Sequence, residues 1–292
     1  MSYDRRKFIK TSGSITGGLM LANMSGLSLL DACNNPGKIG DFGIQLYTLR
    51  DDMPKDPKGV LKKIAGFGYK QIESYEGAKG MFWGMSNTDF KKYMDDLGMK
   101  IVASHADINK DFEKKAAEAS AIGMKYLICP WLGPQKSMDD YKKAADNFNK
   151  KGEICKSTGI RFAYHNHDYS FKPIEGQLPQ DVMMNNTDAS LVDFELDMYW
   201  VATAGEDIEA WLKKYKNRFR LCHVKDRSKT PGTNNSQNSV DLGTGSINWP
   251  SVLKTAKENG MKHFIVEQEY YAGTTPLKAV EVNAGYMKSL KI

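Results

Sequence analysis

The chain has 292 residues, 41% apolar and 26% charged, which excludes disordered and collagen-like classes and allows one large domain or two small ones. Its formal net charge is +6; residues 1–33 contribute +2 of this, through Arg5, Arg6, Lys7 and Lys10 against Asp4 and Asp31, leaving +4. So mild a balance gives no reason to expect a nucleic-acid partner.

Residues 1–33 read as an address. Paired arginines in "DRRKFIK" precede a weakly apolar, glycine-rich segment that ends in "LDAC". Those are the parts of a cleavable secretory signal, and the arginine pair resembles the twin-arginine type, which exports folded proteins. "LDAC" resembles a lipobox, with Cys33 as the lipidation site. The expected location is therefore outside the cytoplasm, periplasmic or membrane-anchored, with a lipid on Cys33 as the sole membrane attachment. A linker follows over 34–41. Cys129, Cys155 and Cys222 remain, each inside an apolar run, and are expected as buried free thiols.

Over 42–292, eight short apolar runs are expected as strands: 42–47, 70–75, 100–105, 125–130, 160–167, 191–197, 219–226 and 263–269. Helical patterns alternate with them, several starting at Ser, Thr, Asn or Asp and ending at Gly. Strands alternating with helices predict parallel pairing with right-handed crossovers. Eight units in roughly 250 residues predict a single closed (β/α)8 barrel, a TIM barrel. An open dinucleotide-binding sheet gains no support, because the first turn, "QLYTLRDDMPKDP", lacks the glycine fingerprint. Residues 228–246 form the longest irregular stretch, expected over the barrel mouth.

Barrels of this kind place their chemistry at the carboxyl ends of the strands. The polar residues expected there are Gln45 and Tyr47, Glu73, His105, Trp131, His165 and His167, Asp197, His223 and Lys225, and Glu267 and Glu269. Alternation puts His165 with His167, His223 with Lys225, and Glu267 with Glu269 on shared strand faces. Runs five to eight thus each bring a potential metal ligand to one rim. Imidazole with carboxylate suits Mn, Co, Zn or Mg better than copper(I) or an iron–sulfur cluster, and unpaired acids in buried strands would be costly.

The segments "GIQLYTLR", "YHNHDYSF", "ELDMYWV", "CHVKD", "DLGTGSINW" and "VEQE" together resemble the sugar phosphate isomerase/epimerase family with the xylose-isomerase-like barrel, from about residue 40 to the end. The resemblance implies one divalent metal ion, held by Asp197, His223 and Glu267, with His165 standing where many members carry a glutamate and His167 as its competitor. Family epimerases exchange protons through two metal-bound glutamates. Here only Glu267 of that pair is kept, and His165 would act as ligand or base. Glu73 and Lys225 are further candidates for acid or base work, and His105, His167, Glu269, Tyr47 and Trp131 for contacts to substrate, with Trp83 and Trp200 as further stacking rings.

The resemblance implies an isomerase or epimerase working through an enediolate on a small saccharide or glycoside. It also extends to members linked to cleavage of 3-keto-glycosides by β-elimination, and export favours unphosphorylated substrates. An exported sugar-binding lipoprotein without turnover is the alternative from another class.

Overall fold

The computed structural model describes residues 37–292; the leader and Cys33 lie outside the described residues. In chain order the elements are β1 (Gly43–Gln45), α1 (Pro57–Phe67), β2 (Gln71–Tyr75), α2 (Asn87–Asp96), β3 (Lys100–His105), α3 (Phe112–Ala121), β4 (Tyr126–Cys129), α4 (Met138–Ser157) and β5 (Arg161–His165). Then come α5 (Pro179–Asn186), β6 (Val192–Asp197), α6 (Met198–Thr203), α7 (Ile208–Lys214), β7 (Phe219–Val224), β8 (Asp226–Arg227), β9 (Ser239–Val240), α8 (Trp249–Glu258), β10 (His263–Val266) and α9 (Pro276–Ser289).

Eight of the strands close a parallel barrel in the order β1-β10-β7-β6-β5-β4-β3-β2, the expected (β/α)8 architecture. Helix starts follow local chemistry. The side chains of Asp56, Ser86, Ser137, Asp207 and Thr275 each accept a backbone N–H in the first turn of the helix they precede, satisfying donors that have no partner within the helix. Helix α5 has no such cap and is short, which is why its pattern is faint in the sequence. Among the described residues no helix is long and apolar enough to cross a membrane.

The main core lies between barrel and helices and includes Phe162, Phe194 and Leu127; fully burying one such side chain contributes about 1.5–3 kcal/mol. A smaller apolar cluster, including Ala103, Ile128, Ala163, Leu221 and Ile265, fills the barrel interior. Gly43 admits close strand contact, since a Cβ there would come within 2.6 Å of the Ile265 side chain.

Two register shifts tune the rim. One falls between Ile72 and Glu73 of β2 against β3, the other between Phe194 and Glu195 of β6 against β7. After the second, Asp197 stands directly beside His223. An extra residue in one strand bends it and redirects its side chains.

The irregular stretch expected over 228–246 is partly ordered. β8 and β9 pair antiparallel as a small separate ribbon, while Asp226 accepts the amides of Gly243, Gly245 and Ile247. Gly245 is required there, because a Cβ would run into the Asp226 carboxylate. Cys129, Cys155 and Cys222 are free and buried, as expected.

Candidate metal centre

Above the apolar barrel interior the inward side chains turn polar. β2 supplies Glu73, β3 His105, β5 His165, β6 both Glu195 and Asp197, and β7 His223, with Lys225 one residue past its end; Glu267 and Glu269 follow β10. All of these except Glu269 are buried.

Asp197, His223 and Glu267 converge. His223 Nδ1 lies 3.5 Å from Asp197 Oδ2 and 3.2 Å from Glu267 Oε2, close to the ~3.4 Å edge of a tetrahedron of ligands around an ion bonded at about 2.1 Å. Asp197 Oδ2 and His223 Nδ1 are sealed from solvent and have no hydrogen-bond partner, an arrangement that costs free energy unless something binds them. Both facts fit a divalent cation, and one imidazole with two carboxylates suits Zn, Co or Mn. Together these three residues form one of the groups able to hold a metal among the described residues. His165 stands at its edge, with Nε2 3.9 Å from Asp197 Oδ2. His167 lies beyond the β5 ladder, at the start of a single 3-10 turn, Asp168–Phe171.

A second layer packs against that cluster, reaching the cavity at His105 and His165 and lying below its lining at Glu73 and Glu195. Glu73 Oε1 accepts from Gln45 Nε2 at 2.6 Å and faces His223 Nε2 at 2.8 Å. His105 Nε2 lies 3.1 Å from Glu73 Oε1 and 2.9 Å from Glu195 Oε2. His165 Nδ1 lies 3.2 Å from Glu195 Oε2. Burial opposes ionisation of Glu73, but His105 and His223 pull its carboxyl well below the usual range. Burial and the nearby Glu73 charge push Glu195 up to about 8. Although burial disfavours a charged imidazole, Glu73 and Glu195 raise His105 to about 9. Burial and the surrounding imidazoles hold His165 well below the ordinary histidine value.

Lys225 closes the other side. Its Nζ contacts Glu269, lies 3.2 Å from Glu267 Oε2 and 3.7 Å from Asp197 Oδ2, and sits over the rings of Tyr199 and Trp200. Burial alone would discharge this amine, yet Glu267, Glu269 and Asp197 keep it charged. In turn Lys225 and His223 overcome the burial of Glu267 and hold its carboxyl far below the usual range.

A cavity of about 280 Å³ opens over the centre, reached by His105, His165, His167, Glu267, Glu269 and Trp200. Tyr47 and Trp131 stand at its mouth, 39% and 58% exposed. Trp131 meets His167 edge-on with ring centroids 4.5 Å apart, and Tyr169, itself edge-on to Trp131 at 5.0 Å, lies parallel to the His167 ring at 5.8 Å. Burial lowers His167 to about 4, so it is a neutral imidazole at the cavity wall. Glu73, Asp197, His223 and Lys225 lie beneath the lining. Trp83 is buried behind Tyr75, donating to Ser74 Oγ, and belongs to the packing.

Two groups escaped the sequence reading. Glu195 lies two residues before Asp197, and strand alternation with an acid in an apolar run was a signal for it. Glu76 lines the cavity beyond the end of β2, held by Lys115 Nζ at 2.7 Å and the Asp107 amide at 2.8 Å; no periodicity marks it.

Residues 61–290 match the family model described as "Xylose isomerase-like TIM barrel". The chain belongs to this family. Among solved structures, it is similar to a sugar phosphate isomerase/epimerase from Parabacteroides distasonis. That structure is 29% identical, with a TM-score of 0.73, covering 87% of this chain and 94% of the other. Inosose dehydratase from Mesomycoplasma hyopneumoniae is 24% identical over 282 residues, 87% of this chain and 86% of that protein. The Clostridium perfringens inosose dehydratase is 26% identical over 144 residues, 45% of this chain, and the match spans about half, 48%, of its length. Proteins named sugar phosphate isomerase/epimerase and inosose dehydratase thus stand among the relatives of this chain, whose fold and cluster able to hold a metal ion fit that company.

Proposed function

We propose that this protein is a divalent-metal-dependent isomerase or epimerase that removes a proton beside the carbonyl of a carbohydrate and works through an enediolate. The observation that carries this reading is the convergence of Asp197, His223 and Glu267, with two unpartnered buried donor atoms, directly under a cavity open to solvent. Asp197, His223 and Glu267 would hold the ion, with His165 Nε2 as a fourth donor. Bound there, the ion supplies Lewis acidity that polarises a carbonyl and offsets enediolate charge.

Glu267 is the base in this reading. Its carboxylate lines the cavity and is kept ionised by Lys225 and His223, so it can take a proton from carbon. Lys225 is charged and sealed, and supports Glu267 and Glu269 in place. His167, neutral and at the cavity wall, can move a proton between substrate oxygens. Return of the proton to a neighbouring carbon gives isomerisation; return to the same carbon from the other face gives epimerisation.

A second reading, elimination, is favoured by one feature: β5 ends in His165, not in a second carboxylate, so one carboxylate base faces the cavity from that pair. One base suits loss of a β-substituent: Glu267 takes the proton as the C–H bond breaks, a C=C bond forms, the C–O bond breaks, and the departing oxygen takes that proton back from Glu267, which lines the cavity. The inosose dehydratase relatives and a 3-keto-glycoside substrate are both compatible with that chemistry. Export, read from residues 1–33, favours an unphosphorylated saccharide or glycoside met outside the cytoplasm, with a lipid on Cys33 as the anchor.

The test is proton exchange. Protein reconstituted with Mn, Co, Zn or Mg is incubated in heavy water with keto and aldo sugars, inososes and 3-keto-glycosides. Deuterium entering next to the carbonyl supports the reading, and release of water or aglycone selects elimination. Ligand binding without exchange under any metal would favour the sugar-binding lipoprotein instead.

A further inference from the structure

The second layer raises a question that the metal centre alone does not answer: why two buried glutamates, His105 and a glutamine amide are packed against His223 and His165. His105, His165, Glu195 and His223 also lie close enough to share an ion. Imidazole bookkeeping argues against a second ion. His223 faces the metal-ligating cluster with Nδ1 and the second layer with Nε2, and His165 faces Asp197 with Nε2 and Glu195 with Nδ1. Filling both layers would require each ring to lose both protons. The short contacts in the second layer all pair nitrogen with carboxylate oxygen: Gln45, His223 and His105 on Glu73, and His105 and His165 on Glu195. That is the pattern of N–H groups donating to carboxyl oxygens.

We infer that Glu73 and Glu195 are positioning residues that fix the two histidines in opposite tautomers, His223 protonated on Nε2 and His165 on Nδ1, so that His223 offers Nδ1 and His165 offers Nε2 to one metal ion. The inference rests on the metal-centre reading and adds what builds it. A ring N–H held by a carboxylate leaves the other nitrogen as an oriented lone pair and raises its basicity. His223 Nδ1 stands where that lone pair would meet the ion once its proton is displaced, buried and without a hydrogen-bond partner. His105 spans Glu73 and Glu195 through Nε2, locking the two carboxylates at one height. Gln45 anchors Glu73 through Nε2 and caps the following turn by accepting the Tyr47 amide at 3.0 Å, so the layer is tied to β1 as well.

The experiment is nitrogen NMR of the histidine rings in the full chain loaded with zinc. Five histidines make the spectrum tractable, and long-range correlations distinguish Nδ1 from Nε2 while shifts distinguish N–H from metal-bound nitrogen. One zinc per chain is expected, with His223 bound through Nδ1 and His165 through Nε2, each carrying its proton on the other nitrogen. Glu73→Gln and Glu195→Gln keep an acceptor oxygen, and should preserve those tautomers with a modest loss of zinc affinity. Glu73→Leu and Glu195→Leu remove the acceptor, and should weaken zinc binding about 10- to 100-fold and scramble the tautomer of the ring concerned. Two zinc ions per chain, or His223 bound through Nε2, would overturn the inference while leaving a metal protein. No zinc bound at all would overturn the metal-centre reading itself and the inference with it.

Discussion

Asn166 grips the backbone of Asp197 at two points, accepting its amide N–H at 3.0 Å and donating to its carbonyl at 3.2 Å. The side-chain amide continues the β5–β6 ladder one step beyond the last strand residue. It therefore sets the height of Asp197 against His165, and explains why a buried asparagine separates the two histidines of "HNH". Asn166→Ala should cost about 1–3 kcal/mol of stability, since two buried backbone groups lose their partner, and should weaken metal binding in the surviving fold. Denaturant unfolding together with zinc titration checks both; unchanged stability would show the clamp to be idle.

The ligand assignment predicts a split between binding and chemistry. Asp197→Asn and His223→Ala should leave folded protein with well under one ion per chain. Glu267→Gln should retain a weakened ion but lose proton exchange by at least about a thousandfold, as loss of both a ligand and a general base requires. Metal analysis and heavy-water exchange on the same samples separate the two effects.

Metal binding should release protons. Burial resists charge on His223, yet Glu195, Glu267 and Glu73 hold its pKa well above the ordinary histidine value in the metal-free protein. At neutral pH an incoming ion must displace that proton, so affinity rises with pH by about tenfold per unit for each proton displaced. Calorimetry in buffers of different ionisation enthalpy gives the number directly. Zero protons released would mean that His223 is not a ligand.

Stability of the metal-free protein should fall as pH rises from 6.5 to 9. His105 titrates at about 9 when folded against 6.5 for the free side chain, so the folded state binds more protons across that window and stability drops between pH 6.5 and 9. Glu195, raised to about 8, acts in the same sense from pH 4.5 upward. His105→Gln should flatten the upper part of that slope, as read by melting temperature against pH. A slope unchanged in the variant would assign it to other groups.

Trp131 is the most exposed large hydrophobic residue of the mouth at 58%. Trp131→Ala should change stability by no more than about 0.5 kcal/mol, while raising KM several-fold with little effect on kcat if the ring stacks on substrate. Equal loss in kcat would place the ring in the chemistry instead.

The barrel was legible because parallel strands buried on both faces leave apolar runs of recognisable length, and because caps such as Ser86 and Ser137 announce the helices between. The rim was legible wherever a polar residue closed such a run, as His105, Asp197 and His223 do. Glu195 was marked by alternation, as an acid two residues before Asp197 on the same strand face, but Asp197 already occupied the strand end, and the β6–β7 register shift shows how far inward Glu195 stands. Glu76 and Asn166 act from outside any repeating pattern, through one hydrogen bond or two that a linear sequence does not display.

The small ribbon of β8 and β9 leaves β7 and braces the exits of both neighbouring barrel strands, β10 and β6. Ser239 Oγ, on β9, accepts the backbone amides of Glu269 and Tyr270 at 3.2 and 3.0 Å, and Tyr199 donates to the carbonyl of Asn235 just before it. An excursion of the chain between the seventh and eighth barrel strands thus works as a brace for the residue that follows the eighth. Lengthening or reshaping that excursion would move Glu269 over the cavity without disturbing a single barrel strand, giving descendants of this fold a place to change which molecule they accept while the centre beneath stays as it is.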